Sequence, residues 1–155
     1  MEEATEQKTY TAVLELDPGE MKTAQQKGCC VINGRVHHFI KAEVKKANER
    51  VKRAILSSAL GKLPPIADVP VRVEITYWYG AWNVAASKRG ELRPRRPDTD
   101  NLCKGLLDCI TQCGVAWADD AQVASLIAEK RWLPNKEDKP YIGITVSYPA
   151  PDFKH

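Results

Sequence analysis

The sequence predicts an α+β protein: a single mixed α/β domain in which a small mixed sheet is packed by two helices. Three patterns carry that expectation. Val69, Val71, Val73, Ile75, Tyr77 and Tyr79 alternate with Arg72, Glu74, Thr76 and Trp78, the period of a strand with one buried face. Ile40, Val44, Ala47, Val51 and Ile55 recur at steps of four and three, one apolar face of a helix from about Ile40 to Leu60. Its other face carries Lys41, Lys45, Lys46, Arg50, Lys52 and Arg53. A second apolar face, Leu102, Leu106, Cys109, Ile110 and Cys113, marks a helix from about Asp100 to Cys113.

The remaining elements follow in chain order. Tyr10, Ala12, Leu14 and Leu16 alternate with Thr11, Val13 and Glu15, a half-buried strand ended by Asp17-Pro18-Gly19. From Glu20 to Arg35 there is little periodicity beyond a short strand at Cys29–Ile32, closed by the turn pair Asn33-Gly34. Gly61 and then Pro64-Pro65 stop the first helix, and Gly114 stops the second. Val123 to Trp132 reads as a strand without strict alternation, and Ile142, Ile144, Val146 and Tyr148 as a cleaner one. No repeat or linker divides the chain, so residues 1–155 form one domain, with 1–8 flexible and 149–155 a tail.

At 155 residues the chain can bury a core without staples. The five cysteines form no CxxC pair and no Cys/His set with zinc spacing, and an odd count with two adjacent argues against a secreted disulfide framework. Cys109 and Cys113, one helical turn apart, are expected to pack as small apolar residues. No apolar run approaches the roughly 20 residues of a membrane span, and the acidic start Met1-Glu2-Glu3 is the reverse of a secretory signal. The protein is therefore expected to be soluble and cytoplasmic.

Net charge is only +3, but its distribution is uneven. Between Ala81 and Pro97 lie Lys88, Arg89, Arg93, Arg95 and Arg96 against the single acid Glu91, a cation cluster that suits a phosphate-rich partner or stands as a solvated loop. Trp78 and Trp82 flank the start of this loop and pack in the core or a dimer interface, or stack on bases at an open junction. His37-His38 reads as polar surface in a turn rather than a metal site.

The carboxylates follow at once. Asp98 and Asp100 stand two apart where a helix should start; in an extended lead-in their Cα atoms would be roughly 6.6 Å apart on one side. Two such carboxylates can converge on a hard cation, and Lys104 falls one turn after Asp100. The same residues also suit helix capping and an ordinary i,i+4 ion pair, and Asp119-Asp120 suits a turn. Spacing alone leaves both readings open.

The longer string is more specific. Asp98-Thr99-Asp100-Asn101-Leu102-Cys103-Lys104, followed by Trp117-Ala118-Asp119-Asp120-Ala121-Gln122-Val123, resembles the signature of the RusA family of crossover junction endodeoxyribonucleases, or Holliday junction resolvases. The resemblance implies that Asp98, Asp100 and Asp120 are catalytic and metal-binding, that Lys104 is catalytic, and that Asp119 and Asn101 support them. It further implies a homodimer acting with Mg²⁺, or Mn²⁺ in its place, on branched DNA of a bacterial or phage-infected cell. Paired nicks on opposing strands would resolve a four-way junction in recombination or repair. The family's Pro-rich turn with a following cation is represented weakly by Asp17-Pro18-Gly19-Glu20-Met21-Lys22, with Lys22 as the counterpart. Lys22, Lys88, Arg89, Arg93, Arg95 and Arg96 are then the expected DNA-binding residues, contacting phosphates without reading bases. Two other readings stay open: a catalytically inactive DNA-binding module, and a metal-dependent phosphohydrolase of small nucleotides.

Overall fold

The computed structural model describes residues 6–22, 27–40 and 42–149. In chain order the elements are β1 (Lys8–Leu14), β2 (Lys27–Ile32), β3 (Arg35–Ile40), α1 (Ala42–Ser57), β4 (Val71–Tyr79), α2 (Thr99–Cys113), β5 (Val123–Trp132) and β6 (Tyr141–Tyr148). Four strands make a mixed sheet in the order β1-β6-β4-β5, with only β4 and β5 parallel. The predicted fold class of two helices on a small mixed sheet is the one observed.

Alternation in β4 has the expected consequence. Val71, Val73, Ile75, Tyr77 and Tyr79 are buried, as are Ile142, Ile144, Val146 and Tyr148 of β6 and Ala12 and Leu14 of β1. These meet Val51 and Ile55 of α1 and Leu102, Leu106, Cys109 and Ile110 of α2 in one core, so both helices cover the same face of the sheet. On the opposite face Trp78 stacks on Tyr141, ring centroids 6.1 Å apart. Cys103 and Cys109 are buried free thiols, and burial pushes the Cys109 thiol up to about 11.

Two local expectations are corrected. The segment after Asn33-Gly34 is a second strand, β3, paired antiparallel with β2 as a separate two-stranded sheet. Asn33 (φ 50°) and Gly34 (φ 75°) both take the left-handed conformation that a two-residue hairpin turn requires. Ile40 and His37-His38 therefore belong to a strand, not to the first helix or a turn. The helix begins at Ala42 and ends at Ser57; Gly61 lies in the following turn, where a Cβ would sit 2.2 Å from the Leu56 carbonyl oxygen. As expected, β5 lacks strict alternation, and the cause is a bulge. Val71 faces Val123 but Arg72 faces Ser125, and the extra residue shifts the inward set to Leu126, Ala128, Lys130 and Trp132.

Lys8 is already paired in β1, opposite Tyr148. Residues 1–5 and 150–155, most of the two segments expected to be flexible, lie outside the described residues, as do the side chains of Cys29, Cys30, His37 and His38. Among the described residues no helix is long and apolar enough to cross a membrane.

Candidate active site

The entry to α2 is built from an extended residue and a helical one. Asp98 occupies the N-cap position (φ −67°, ψ 139°), and its carbonyl accepts from the Leu102 N–H at 3.1 Å, yet its side chain makes no capping bond. The helix thus starts at Thr99, a residue earlier than the spacing suggested. Asp98 and Asp100 do not lie along one extended segment, and their side chains meet different surroundings. Asp100 faces a hollow between α2 and β5, whereas the Asp98 carboxylate lies in electrostatic range of the Lys130 ammonium on β5.

The return to the site is fixed by backbone bonding. Gly114 closes α2 in the left-handed region (φ 69°), its N–H reaching the Thr111 carbonyl at 3.0 Å. The next turn carries Ala116 at φ 67°, held by the Tyr148 hydroxyl donating to its carbonyl at 2.5 Å. Trp117 is fully buried, and its Nε1 donates to Thr111 Oγ1 at 2.8 Å. Asp119 then caps the short turn Asp120–Gln122, accepting from the Ala121 N–H at 2.9 Å. The Gln122 side chain completes the bracket. Its oxygen accepts from the N–H groups of Ala118 and Asp119, and its amide nitrogen donates to the carbonyls of Ile66 and Val69. With Asp119 and Gln122 holding the turn, Asp120 projects into the hollow.

That hollow has a volume of about 520 Å³ and takes its charged lining from Asp100, Lys104, Asp108 and Asp120. Leu107, Val123, Leu126 and Ala128 form an apolar floor. Asp98, Asn101 and Asp119 do not line it. Among the described residues, Asp100 and Lys104 do not close into an ion pair. The Asp120 carboxyl is pushed above its ordinary value, first by burial and then by the neighbouring carboxylates of Asp119 and Asp108. Asp108 was not singled out from the motif, although it stands four residues after Lys104 and eight after Asp100, on the same helix face.

The donor chemistry suits a hard divalent cation. Among the described residues no three His, Cys, Asp or Glu side chains converge closely enough to form a complete metal cage. Mg²⁺ does not need one, since it keeps several waters and takes one or two carboxylates plus substrate phosphate. The crowding that raises Asp120 is a concentration of negative charge that a cation would relieve. A second hollow, about 570 Å³, lies between β1 and α1 and mixes Glu15, Asp17 and Glu20 with Arg50 and Arg53. It contains no residue of the motif.

The basic loop lies alongside the carboxylates as an arm clipped to the edge of β5. Gly90 N–H donates to the Trp132 carbonyl (2.9 Å), Trp132 N–H to Glu91 (3.0 Å) and Arg93 N–H to Lys130 (2.8 Å). Arg93 is turned onto the protein: its guanidinium sits 3.9 Å over the Tyr79 ring and donates to the carbonyls of Arg95 and Arg96. Lys88, Arg95 and Arg96 are exposed, and Arg89 is half-buried. Trp82 is 78% exposed, which removes it from the core. Lys22 is half-buried, beyond the turn headed by Asp17, whose carboxylate acts on the Tyr79 hydroxyl beside the arm.

The family model described as endodeoxyribonuclease RusA matches residues 18–147. A crossover junction endodeoxyribonuclease rusA from Lactococcus phage r1t is 29% identical over 109 residues, covering 70% of this chain and 78% of that protein.

Proposed function

The chain belongs to the RusA family of endodeoxyribonucleases, and from that premise we propose that it is a Mg²⁺-dependent, structure-selective nuclease that resolves four-way DNA junctions by paired phosphodiester hydrolysis. The observation that carries this reading is the hollow in which Asp100, Asp108 and Asp120 face Lys104, with the basic arm beside it.

Each part has a physical task. Asp100 and Asp120, with Asp98 at the helix entry, are the residues to hold the cation, and Asp108 adds a carboxylate to the same wall. A bound divalent cation supplies an activated water and Lewis-acid stabilisation of the phosphodiester transition state. The exposed Lys104 ammonium faces the scissile phosphate and offsets charge that develops on it. Lys88, Arg89, Arg95 and Arg96, with Lys22, bind backbone phosphates, while Arg93 shapes the arm. Asp119 and Asn101 support the site from outside the hollow. The open lining suits a polymer better than a free nucleotide, which would need a more enclosed pocket.

Two coordinated cuts require two such hollows, so the working form in this reading is a homodimer of single-domain protomers, in the cytoplasm of a bacterial or phage-infected cell. Cleavage of matched duplex, fork and four-way junction substrates, with and without Mg²⁺, tests the proposal. Junction cutting that needs Mg²⁺ and disappears in Asp100→Asn supports it. Metal-independent nicking, or nicking of all three substrates at equal rates, overturns it.

A further inference from the structure

Lys130 links the arm to the helix entry. The register that sets Lys130 beside Tyr77 directs its side chain to the helix-covered face of the edge strand. There its ammonium donates to the carbonyls of Arg95 (2.5 Å) and Pro97 (2.6 Å), the first three residues before Asp98 and the second its immediate neighbour. The same residue's main-chain carbonyl accepts from Arg93 N–H at 2.8 Å. Lys130 therefore grips the arm at three points, 93, 95 and 97, and the Asp98 carboxylate lies in its field.

We propose that Lys130 is a positioning residue of the nuclease: one ammonium fixes the last turn of the DNA-binding arm and, through the Pro97 carbonyl, the backbone that leads into Asp98. This rests on the functional reading above. The chemistry fits the task, since an ammonium has three donors and its charge-assisted bonds can hold two carbonyls at once. Partners that orient catalytic or metal-binding groups from behind are commonly worth about 10- to 100-fold in metal affinity or activity. Lys130 touches neither phosphate nor metal in this scheme and acts through Asp98 and the arm.

The test uses Lys130→Met, Lys130→Gln and Lys130→Arg in the full chain. For Lys130→Met, the single-turnover rate on a four-way junction should fall about tenfold or more and the Mg²⁺ concentration for half-maximal rate should rise. The junction Kd measured in Ca²⁺ should stay within about threefold of wild type. Limited trypsin digestion should cut after Arg95 faster than in wild type, because the arm loses its anchor. Lys130→Arg, which keeps the charge, should recover much of the rate. Lys130→Gln, a milder change, must show the same separation of rate from Kd if the Met variant does not fold. Wild-type rate and Mg²⁺ dependence in the Met or Gln variant would overturn the proposal. So would a rate loss matched by an equal loss of junction affinity without faster cleavage after Arg95, which would make Lys130 a phosphate contact, or an Arg variant as impaired as Met. Trypsin digestion needs neither DNA nor metal, so the hold on the arm is read even if the wild-type chain leaves junctions uncut. That last result would overturn the functional reading and the catalytic half of this one, while leaving the anchoring half to the digestion.

Discussion

The two aspartate pairs of the motif, Asp98 with Asp100 and Asp119 with Asp120, are built differently. In the second pair the labour is divided: Asp119 caps a short turn and is used up by the backbone, which releases Asp120 into the hollow. In the first pair neither carboxylate is used as a cap. Asp98 stands at the N-cap with its side chain free of capping bonds and faces Lys130, and Asp100 enters the hollow from the first turn of α2. An aspartate at an N-cap ordinarily stabilises its helix by accepting an N–H bond. One that does not is available for another partner. The comparison shows that identical residues take different roles according to whether something else, here Gln122, shares the work of holding the chain.

The largest effect that would break this comparison is on chemistry. Asp100→Asn and Asp120→Asn should each lower junction cleavage on the order of 100-fold or more while leaving binding in Ca²⁺ largely intact. Asp98→Asn should do likewise. Asp119→Ala should retain most of the activity, and a loss as large as that of Asp120→Asn would erase the distinction between the two.

On stability the order should reverse. Gln122→Ala removes four hydrogen bonds from the turn and should cost about 2 kcal/mol in urea denaturation. Asp119→Ala loses one cap and should cost about 1 kcal/mol. The arm offers a separate measurement: removing Arg95 and Arg96 together should shallow the slope of log affinity against log salt by about 1.8. An unchanged slope would take both out of the interface.

The smallest effect is a dependence on pH. The folded state raises the Asp120 carboxyl above its ordinary 3.8, so the protonated form is favoured in the fold. Its contribution to stability is present below the unfolded value and is lost as pH rises through the raised one. In EDTA at neutral pH, Asp120→Asn should therefore not lower Tm and should raise it slightly. The difference should vanish as pH falls below the ordinary carboxylate range. A Tm drop at neutral pH would mean that Asp120 is structural.

Much of this was legible from local pattern. Alternation in β4 and β6 and the apolar faces of α1 and α2 fixed which residues are buried, because side-chain direction repeats with period 2 in strands and 3.6 in helices. Asp108 was legible in principle, since helix spacing alone places it beside Lys104 and Asp100. Other features were not. The arm's cations look alike in sequence, yet Arg93 lies over Tyr79 and cannot be told from Arg95 without the fold. The β2–β3 hairpin is half legible: Asn33-Gly34 marks the turn, but His37-His38 reads as a turn and Ile40 fits the apolar face of the helix, so β3 leaves no pattern of its own.

By itself, then, the amino-acid sequence determined the fold class, the helix and strand faces and the family, all of which rest on residues close together in the chain. The tertiary structure alone decided which side chains share a space. A bulge in β5 turns Lys130 toward the helix entry, and a helix that starts one residue early parts Asp98 from Asp100. The bracket of Gln122 bonds reaches Ile66 and Val69, more than fifty positions away in the chain, and sends Asp120 into the hollow. The physical reason is common to all three. Register and helix phase rotate side chains by large angles for a shift of one residue, and only packing between distant segments sets that phase.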